Sequence, residues 1–377
     1  MIDPRSFVEA LDAEGVTFFT GVPDSLLKNL GTYVMAALPS ERHVIAANEG
    51  NAVAIALGHY LGTGRPAAVY LQNSGIGNTI NPILSLADAD VYGVPMVLIV
   101  GWRGEPGVAD EPQHITQGRV MTSMLDGMDI AWSILPDEEA SARQCVRAAV
   151  TDAQNRMAPH VLLVRKGVFS DPDVAPLAPI HDGYPTREDA LRAVIGAISA
   201  DAAIVSTTGM LSRELFELRV AAGADGDRDF LTVGGMGHAS SIALGVALGR
   251  PATDVWCLDG DGALLMHGGA LAVIGARSPA NLRHVVFNNG VHDSVGGQPT
   301  AISAVDVPAW AMSCGYRFAT RVNELRDITD AMAQLCQADG PGLLEVRVCP
   351  GSRGDLGRPT RSPAQSKSAY MKALGSA

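Results

Sequence analysis

The sequence predicts an α/β protein built from two parallel-sheet domains in tandem. Three observations carry this expectation. Short apolar runs alternate with helical patterns along most of the chain. The alternation stops once, in a proline-rich stretch, and then restarts. The 377 residues suffice for two domains of about 150 to 200 residues each. Strands written as continuous apolar runs, each followed by a helix, belong to parallel sheets covered on both faces.

The chain opens with "MIDPRSFVEALDAEG", where Asp3-Pro4 precedes an amphipathic pattern. That predicts a capped helix and not an export signal. The strand-like runs "VTFFTG", "HVIAA", "AAVYLQ" and "PMVLIVG" follow, and the helical patterns "PDSLLKNLGTYVMAAL", "EGNAVAIALGHYLG" and "NTINPILSLADA" separate them. After a longer loop come the helix "DEEASARQCVRAAVTDAQNR" and the strand "HVLLVR", completing a first domain over residues 1–170. Residues 171–186 read as a linker, because 171–185 hold four prolines and no helical period. A second domain over 187–350 restarts with the helix "REDALRAVIGAISA" and the strand "AAIVSTTG". It continues through the helices "SRELFELRV" and "GHASSIALGVALG", the strand "DVWCLDG", one helix over "ALLMHGGALAVIGA" and the strand "LRHVVFNN". "VNELRDITDAMAQLC" and "GLLEVRV" close it, and 351–377 form a basic tail.

Composition excludes several classes of function. A net charge of -12 argues against nucleic-acid and anionic-membrane partners, which need clustered Lys and Arg. Five scattered cysteines without a CxxC pair fit reduced thiols in a cytoplasmic protein. Nowhere do 18 apolar residues run uninterrupted, so no membrane span is expected.

In open parallel sheets, ligands bind at the carboxyl ends of strands. Those ends carry "TGVPDS" (20–25), "ANEGNA" (47–52), "QNSGIGN" (72–78) and "GWRGEPG" (101–107) in the first domain. The second supplies "STTGML" (206–211), "GGMGH" (234–238), "DGDGA" (259–263) and "NNGVHDS" (288–294). Asp261 and the pair Asn288-Asn289 close two successive strands, which usually lie side by side. A carboxylate, an amide oxygen and a backbone carbonyl there make a hard-oxygen site for Mg²⁺, an ion that completes its shell with waters and phosphate oxygens. Singly, Asp261 reads equally as a helix cap and Asn288-Asn289-Gly290 as a turn. Together, at adjacent strand ends, they favour the ion; Asp259 is read as structural.

Gly260-Asp261-Gly262, then 25 residues, then Asn288-Asn289 resembles the cofactor signature of the thiamine diphosphate (ThDP) enzymes. The resemblance implies Mg²⁺ on Asp261, Asn289 and the carbonyl of Val291, with Asn288 open as the alternative ligand. It places Gly260, Gly262 and Ala263 around the diphosphate and a weaker-matching shelf at Thr207, Gly209 and Met210. Glu49 matches the glutamate that faces the cofactor's pyrimidine ring. Met236 matches the prop beneath the bent cofactor, with Gly234 as backbone acceptor. Alone, Glu49 is an ordinary acid at a helix N-terminus, and Met236 is core filler. The implied architecture is two ThDP-binding-fold domains, pyrimidine-type then diphosphate-type, without the central domain usual among ThDP decarboxylases. An active site shared between subunits, hence self-association, comes with it.

Within those enzymes, "TGVPDSLLK", "AANEGNAVAIALG", "GWRGEPGVADEPQHITQGR" and "NNGVHDSVGGQPT" resemble the phosphonopyruvate decarboxylase family, and sulfopyruvate decarboxylases share these motifs. The implied reaction is a carboxy-lyase step from 3-phosphonopyruvate to 2-phosphonoacetaldehyde and CO₂, with sulfopyruvate as the alternative substrate. Asp24 and His114 sit in loops where such enzymes keep proton-transfer groups; the plain alternatives are a helix cap and a surface histidine. A dianionic phosphonate on an acidic protein needs local cations. Arg103, Arg353 and Arg358, with Ser25, are the candidates, and the tail reads either as a lid or as a solvated extension. A dinucleotide-dependent oxidoreductase fits poorly, since Gly75-x-Gly77 lacks its third glycine and Ile80 stands there. A non-catalytic ThDP-fold subunit would not need both Glu49 and the Asp261/Asn289 pair.

Overall fold

A computed structural model describes residues 1–174 and 183–375. Residues 175–182 of the expected linker lie outside the described residues. The chain divides into two compact units, Met1–Ala178 with Ser294–Gln298, and Pro179–Asp293 with Pro299–Ala377.

The first unit holds a six-stranded sheet of β1 (Phe19–Gly21), β2 (His43–Ile45), β3 (Ala67–Gln72), β4 (Met96–Gly101), β5 (Ala131–Ile134) and β6 (Pro159–Val164). The order is β2-β1-β3-β4-β6-β5, parallel throughout. Every residue of β4 and of β6 is buried, which is why both read as uninterrupted apolar runs. One core cluster, including Phe7, Phe19, Leu30 and Val146, covers one face, and a second, including Val53, Leu71, Met96 and Leu125, covers the other. Each fully buried aliphatic side chain contributes roughly 1.5–3 kcal/mol.

The second unit repeats the plan with β7 (Ala203–Ser206), β8 (Asp229–Leu231), β9 (Val255–Gly260), β10 (Leu282–Asn288) and the strands Phe318–Val322 and Gly342–Arg347. Starting from β8, the order is β8-β7-β9-β10, then Gly342–Arg347, then Phe318–Val322, again all parallel. Counting strands from the start of each sheet, both read 2-1-3-4-6-5. In both, the chain leaves its first strand toward one edge and returns on the other side of it, which opens a crevice at the carboxyl ends of the first and third strands.

Three local expectations change. The loop after β4 contains the helix Pro112–Gly127 and leads into β5, whose four residues are all half-buried and so lack an apolar signature. The single helix expected over 263–276 is two, Asp261–Met266 and Gly269–Arg277. The break falls where Gly268 meets Trp310: a Cβ on Gly268 would lie 2.2 Å from the indole. The basic tail ends in a helix, Pro363–Ala373, whose buried Tyr370 packs on Phe230 of β8 with ring centroids 5.6 Å apart. Among the described residues, no helix is long and apolar enough to cross a membrane.

Candidate active site

In the first unit, polar residues converge at the carboxyl ends of β1, β3 and β4. Asp24, 2% exposed, follows β1. Its Oδ1 accepts from Gln72 Nε2 at 2.6 Å, and its Oδ2 accepts from the backbone N–H of Leu26 and Leu27 at 3.0 and 3.3 Å. Burial raises its carboxyl above the ordinary range, while these bonds and the nearby Arg103 oppose the rise. The absence of a side chain at Gly101, the last residue of β4, makes room for it: a Cβ there would stand 2.0 Å from Asp24 Oδ2.

Arg103 is held as a fork by Asp110, through Nε at 2.8 Å and through a second short contact from Nη2, and its Nη1 donates to Ser25 Oγ at 2.7 Å. The guanidinium therefore arrives with its charge already compensated. His114 lies on the helix Pro112–Gly127 rather than in a loop, and it is buried. Burial, aided by Arg103, lowers its pKa, so the ring is neutral at pH 7 with Nδ1 lacking a hydrogen bond among the described residues.

Glu49 begins the helix Glu49–Thr63, capped by Asn48, whose side chain accepts from the N–H of Asn51. Glu49 is 6% exposed, and its Oε2 accepts from Asn78 Nδ2 at 2.7 Å. Gly75 lies against the carboxylate, where a Cβ would come within 2.3 Å of Oε1.

In the second unit, β9 and β10 pair directly, with Phe287 opposite Gly260, so their ends bring Asp261 and Asn288-Asn289 together. Asp261 is 3% exposed. Its Oδ2 accepts from Thr300 Oγ1 at 2.5 Å, and backbone N–H groups of Asp261, Gly262 and Asn289 also point at the carboxylate. Among the described residues it has no ion-pair partner, and burial pushes it up to about 6 despite those bonds. Asn288 is buried in the core, donating to Glu345 Oε1 at 2.6 Å and accepting from Gly290 N–H at 3.1 Å. Asn289 is half-buried, and its Oδ1 accepts the N–H of Val291 at 3.1 Å; each amide oxygen keeps a lone pair, but only Asn288 is tied down through its Nδ2. Gly290 turns the chain between them at φ +72°.

The remaining residues expected around the cofactor share this edge. Thr207 follows β7, with its methyl 4.0 Å from where a Gly260 Cβ would stand. Gly209, at φ +100°, leads into the helix that starts at Met210. Met236 and the ring of His292 both close on Gly262, 3.2 and 3.3 Å from a Cβ built there, while Ala263 is buried and Gly234 half-buried beside them. Asp259 points into the sheet, 3.4 Å from His284 Nε2, forming an interior acid–imidazole pair.

Two substrate candidates stand apart from these groups. Arg353 pairs with Glu188, Glu217 and Asp355 on the helical side of the second unit, and Arg358 is exposed in the segment that follows. Thr300, Gln72, Asn78, Asp110 and His292 carried no role in the sequence reading. All lie in or just beyond the strand-end stretches, where a polar residue beside a glycine-rich strand end was the available signal.

The donor set suits a divalent cation with a diphosphate. A buried carboxylate with no cation beside it among the described residues, an amide oxygen with a spare lone pair and a loop carbonyl are all hard oxygen donors, and the bare Gly262 lets Met236 and His292 approach closely. The family profile "Thiamine pyrophosphate enzyme, N-terminal TPP binding domain" matches residues 5–128, and "Thiamine pyrophosphate enzyme, C-terminal TPP binding domain" matches 218–346. The chain is 41% identical to a phosphonopyruvate decarboxylase of Streptomyces viridochromogenes, over 97% of this chain and 93% of that one. It is 40% identical to a phosphonopyruvate decarboxylase of Streptomyces hygroscopicus, over 96% and 92%. To a sulfopyruvate decarboxylase of Methanosarcina acetivorans it is 27% identical, over 97% and 96%. With near-complete coverage at that identity, and both profiles matched in order, the chain belongs to the phosphonopyruvate decarboxylase family of thiamine pyrophosphate enzymes.

Proposed function

We propose that the protein is a ThDP- and Mg²⁺-dependent carboxy-lyase that converts 3-phosphonopyruvate to 2-phosphonoacetaldehyde and CO₂. The observation that carries this reading is the likeness to two phosphonopyruvate decarboxylases at 40% identity or above along nearly the whole chain. Asp261, Asn289 and the Val291 carbonyl would hold Mg²⁺, and Thr207, Gly209, Met210, Gly260, Gly262 and Ala263 would line the diphosphate. Met236 would support the bent cofactor, with the Gly234 carbonyl accepting from its aminopyrimidine. Bound ThDP supplies a carbon nucleophile for the keto group and a sink for the electrons that CO₂ leaves behind.

The chain's own groups handle the protons. Glu49 would exchange one with the pyrimidine nitrogen, its other carboxylate oxygen being steadied by Asn78. Asp24, with its raised pKa, is suited to hold a proton on its carboxyl and deliver it to the carbon that has lost CO₂. Neutral His114 can accept or return a proton at Nδ1. Arg103 and Ser25 share a cluster with Asp24, so they are the favoured holders of the substrate's anionic end. We further propose self-association, with Glu49 of one subunit serving the Asp261 site of another.

The deciding experiment strips the protein with EDTA, restores ThDP and Mg²⁺, and compares kcat/KM on phosphonopyruvate and sulfopyruvate. Phosphonopyruvate should be preferred roughly tenfold or more. A preference for sulfopyruvate would hand the function to the second reading.

A further inference from the structure

Arg187 opens the helix Arg187–Ala197 yet is only 6% exposed. Its guanidinium forks onto Glu214, Nε to Oε2 at 2.8 Å and Nη2 to Oε1 at 2.9 Å, and Nη1 donates to Asp293 Oδ2 at 3.0 Å. Nη2 also reaches the carbonyl of Gly351 at 3.4 Å, and Asp293 accepts the N–H of Gly351 at 3.1 and 3.2 Å. Three parts of the second unit thus meet at one cation. Glu214, 1% exposed, lies on the helix Met210–Ala221 that follows the Thr207–Gly209 turn. Asp293 follows Val291 by two residues, at the end of the loop that carries Asn289. Gly351 starts the tail.

A buried ion triad of this kind is weak evidence for stability, since packed apolar side chains of similar volume often serve as well. What a planar fork adds is geometry, because two parallel bonds set orientation as well as distance. The other side of the loop is tied too: Thr300 N–H donates to Gly290 O at 2.8 Å while its hydroxyl donates to Asp261 at 2.5 Å. The turn Asn289–Val291 is therefore held through Thr300 to one expected metal ligand and through Asp293 to Arg187.

We infer that Arg187 and Asp293 are positioning residues that hold the Asn289–Val291 turn where its amide and carbonyl oxygens can share a cation with Asp261. The inference rests on the cofactor reading above. It predicts a specific division of effects: loosening the triad lowers the affinity for the ion and leaves the chemistry intact once the site is filled.

The test titrates Mg²⁺ into apo-protein at fixed ThDP, following quenching of tryptophan fluorescence, for the wild type and for Asp293→Asn, Arg187→Met and Arg187→Lys. Asp293→Asn and Arg187→Met should weaken apparent Mg²⁺ affinity roughly 10- to 100-fold, the range found when partners behind a metal ligand are removed. Arg187→Lys should recover part of that loss, and kcat at saturating Mg²⁺ and ThDP should stay within about threefold. If Arg187→Met fails to fold, the near-isosteric Asp293→Asn decides alone. Folded Asp293→Asn with wild-type Mg²⁺ affinity, or with kcat at saturation falling as far as the affinity, overturns the inference while leaving the cofactor reading standing. A wild-type protein that takes up neither ThDP nor Mg²⁺ overturns both.

Discussion

The two units place a buried acid at the strand-order crevice, on opposite sides of it, and surround it in opposite ways. Asp24 follows the first strand of one sheet, and Asp261 follows the third strand of the other, each beside the crevice where strand order reverses. Burial raises both carboxyls. Asp24 lies within the field of Arg103, itself neutralised by Asp110, so that corner is a closed set of charges. Asp261 has a hydroxyl and backbone N–H groups but no cation among the described residues. One corner carries its own cation; the other has none among the described residues, and a metal ion would supply it.

The largest test of that difference is complementation. Glu49→Gln and Asp261→Asn should each lower kcat by roughly 10²-fold or more. Co-expressed, they should recover up to roughly a quarter of wild-type activity, because half of randomly paired dimers would then hold one intact site. Recovery of nothing would mean that each chain builds its site alone.

The glycines that make room for the acids offer a finer test. Gly75→Ala and Gly101→Ala should displace Glu49 and Asp24 respectively and reduce kcat/KM by roughly 10²-fold, as misplacement of a reacting group does. Gly77→Ala, where an added Cβ meets nothing within 4 Å, should leave activity unchanged. Equal kinetics for all three variants would remove the close approach from the argument.

The pH dependence of folding separates the corners energetically. For Asp261 the folded pKa of about 6 lies above the unfolded 3.8, so the apo fold binds that proton more tightly. Its contribution is complete below 3.8 and is lost as pH rises through 6, up to about 3 kcal/mol. Urea unfolding of apo wild type and Asp261→Asn should therefore show a stability difference that changes between pH 4.5 and 7.5, and Mg²⁺ with ThDP should restore the wild type at the upper end. A difference constant with pH would contradict the assigned environment.

The smallest effect concerns the neighbouring amides. Asn288→Ala should cost about 1–3 kcal/mol by stranding Glu345's hydrogen bond, without shifting Mg²⁺ affinity. A loss of affinity would make Asn288 the ligand in place of Asn289.

How much of this was legible in the sequence divides along a physical line. Buried parallel strands such as Met96–Gly101 must be apolar at every position, so they announce themselves locally, and the residues just after them could be located before any folding. Asp261 and Asn289, which follow the buried strands Val255–Gly260 and Leu282–Asn288, were proposed on that ground, whereas Glu49 follows the half-buried edge strand His43–Ile45 and rests on the family resemblance. The half-buried strand Ala131–Ile134, on a sheet edge, has no such signature, and the helix bearing His114 was hidden in what read as loop.

Sequence alone determined the two-unit plan, the buried central strands, the strand-end motifs and the family, because these rest on neighbours in the chain and on local spacing, while the half-buried strands Ala131–Ile134, Asp229–Leu231 and Phe318–Val322 escaped it. Tertiary structure alone decided which amide at the end of β10 is tied to Glu345, which arginine is already neutralised, and that Arg187 and Thr300 brace the turn between Asp261 and Asp293. Those are matters of partner choice across 7 to 106 residues of sequence, from Arg103 with Asp110 to Arg187 with Asp293. Only a folded chain, by excluding water and bringing distant polar groups within 3 Å or so, makes such a choice compulsory.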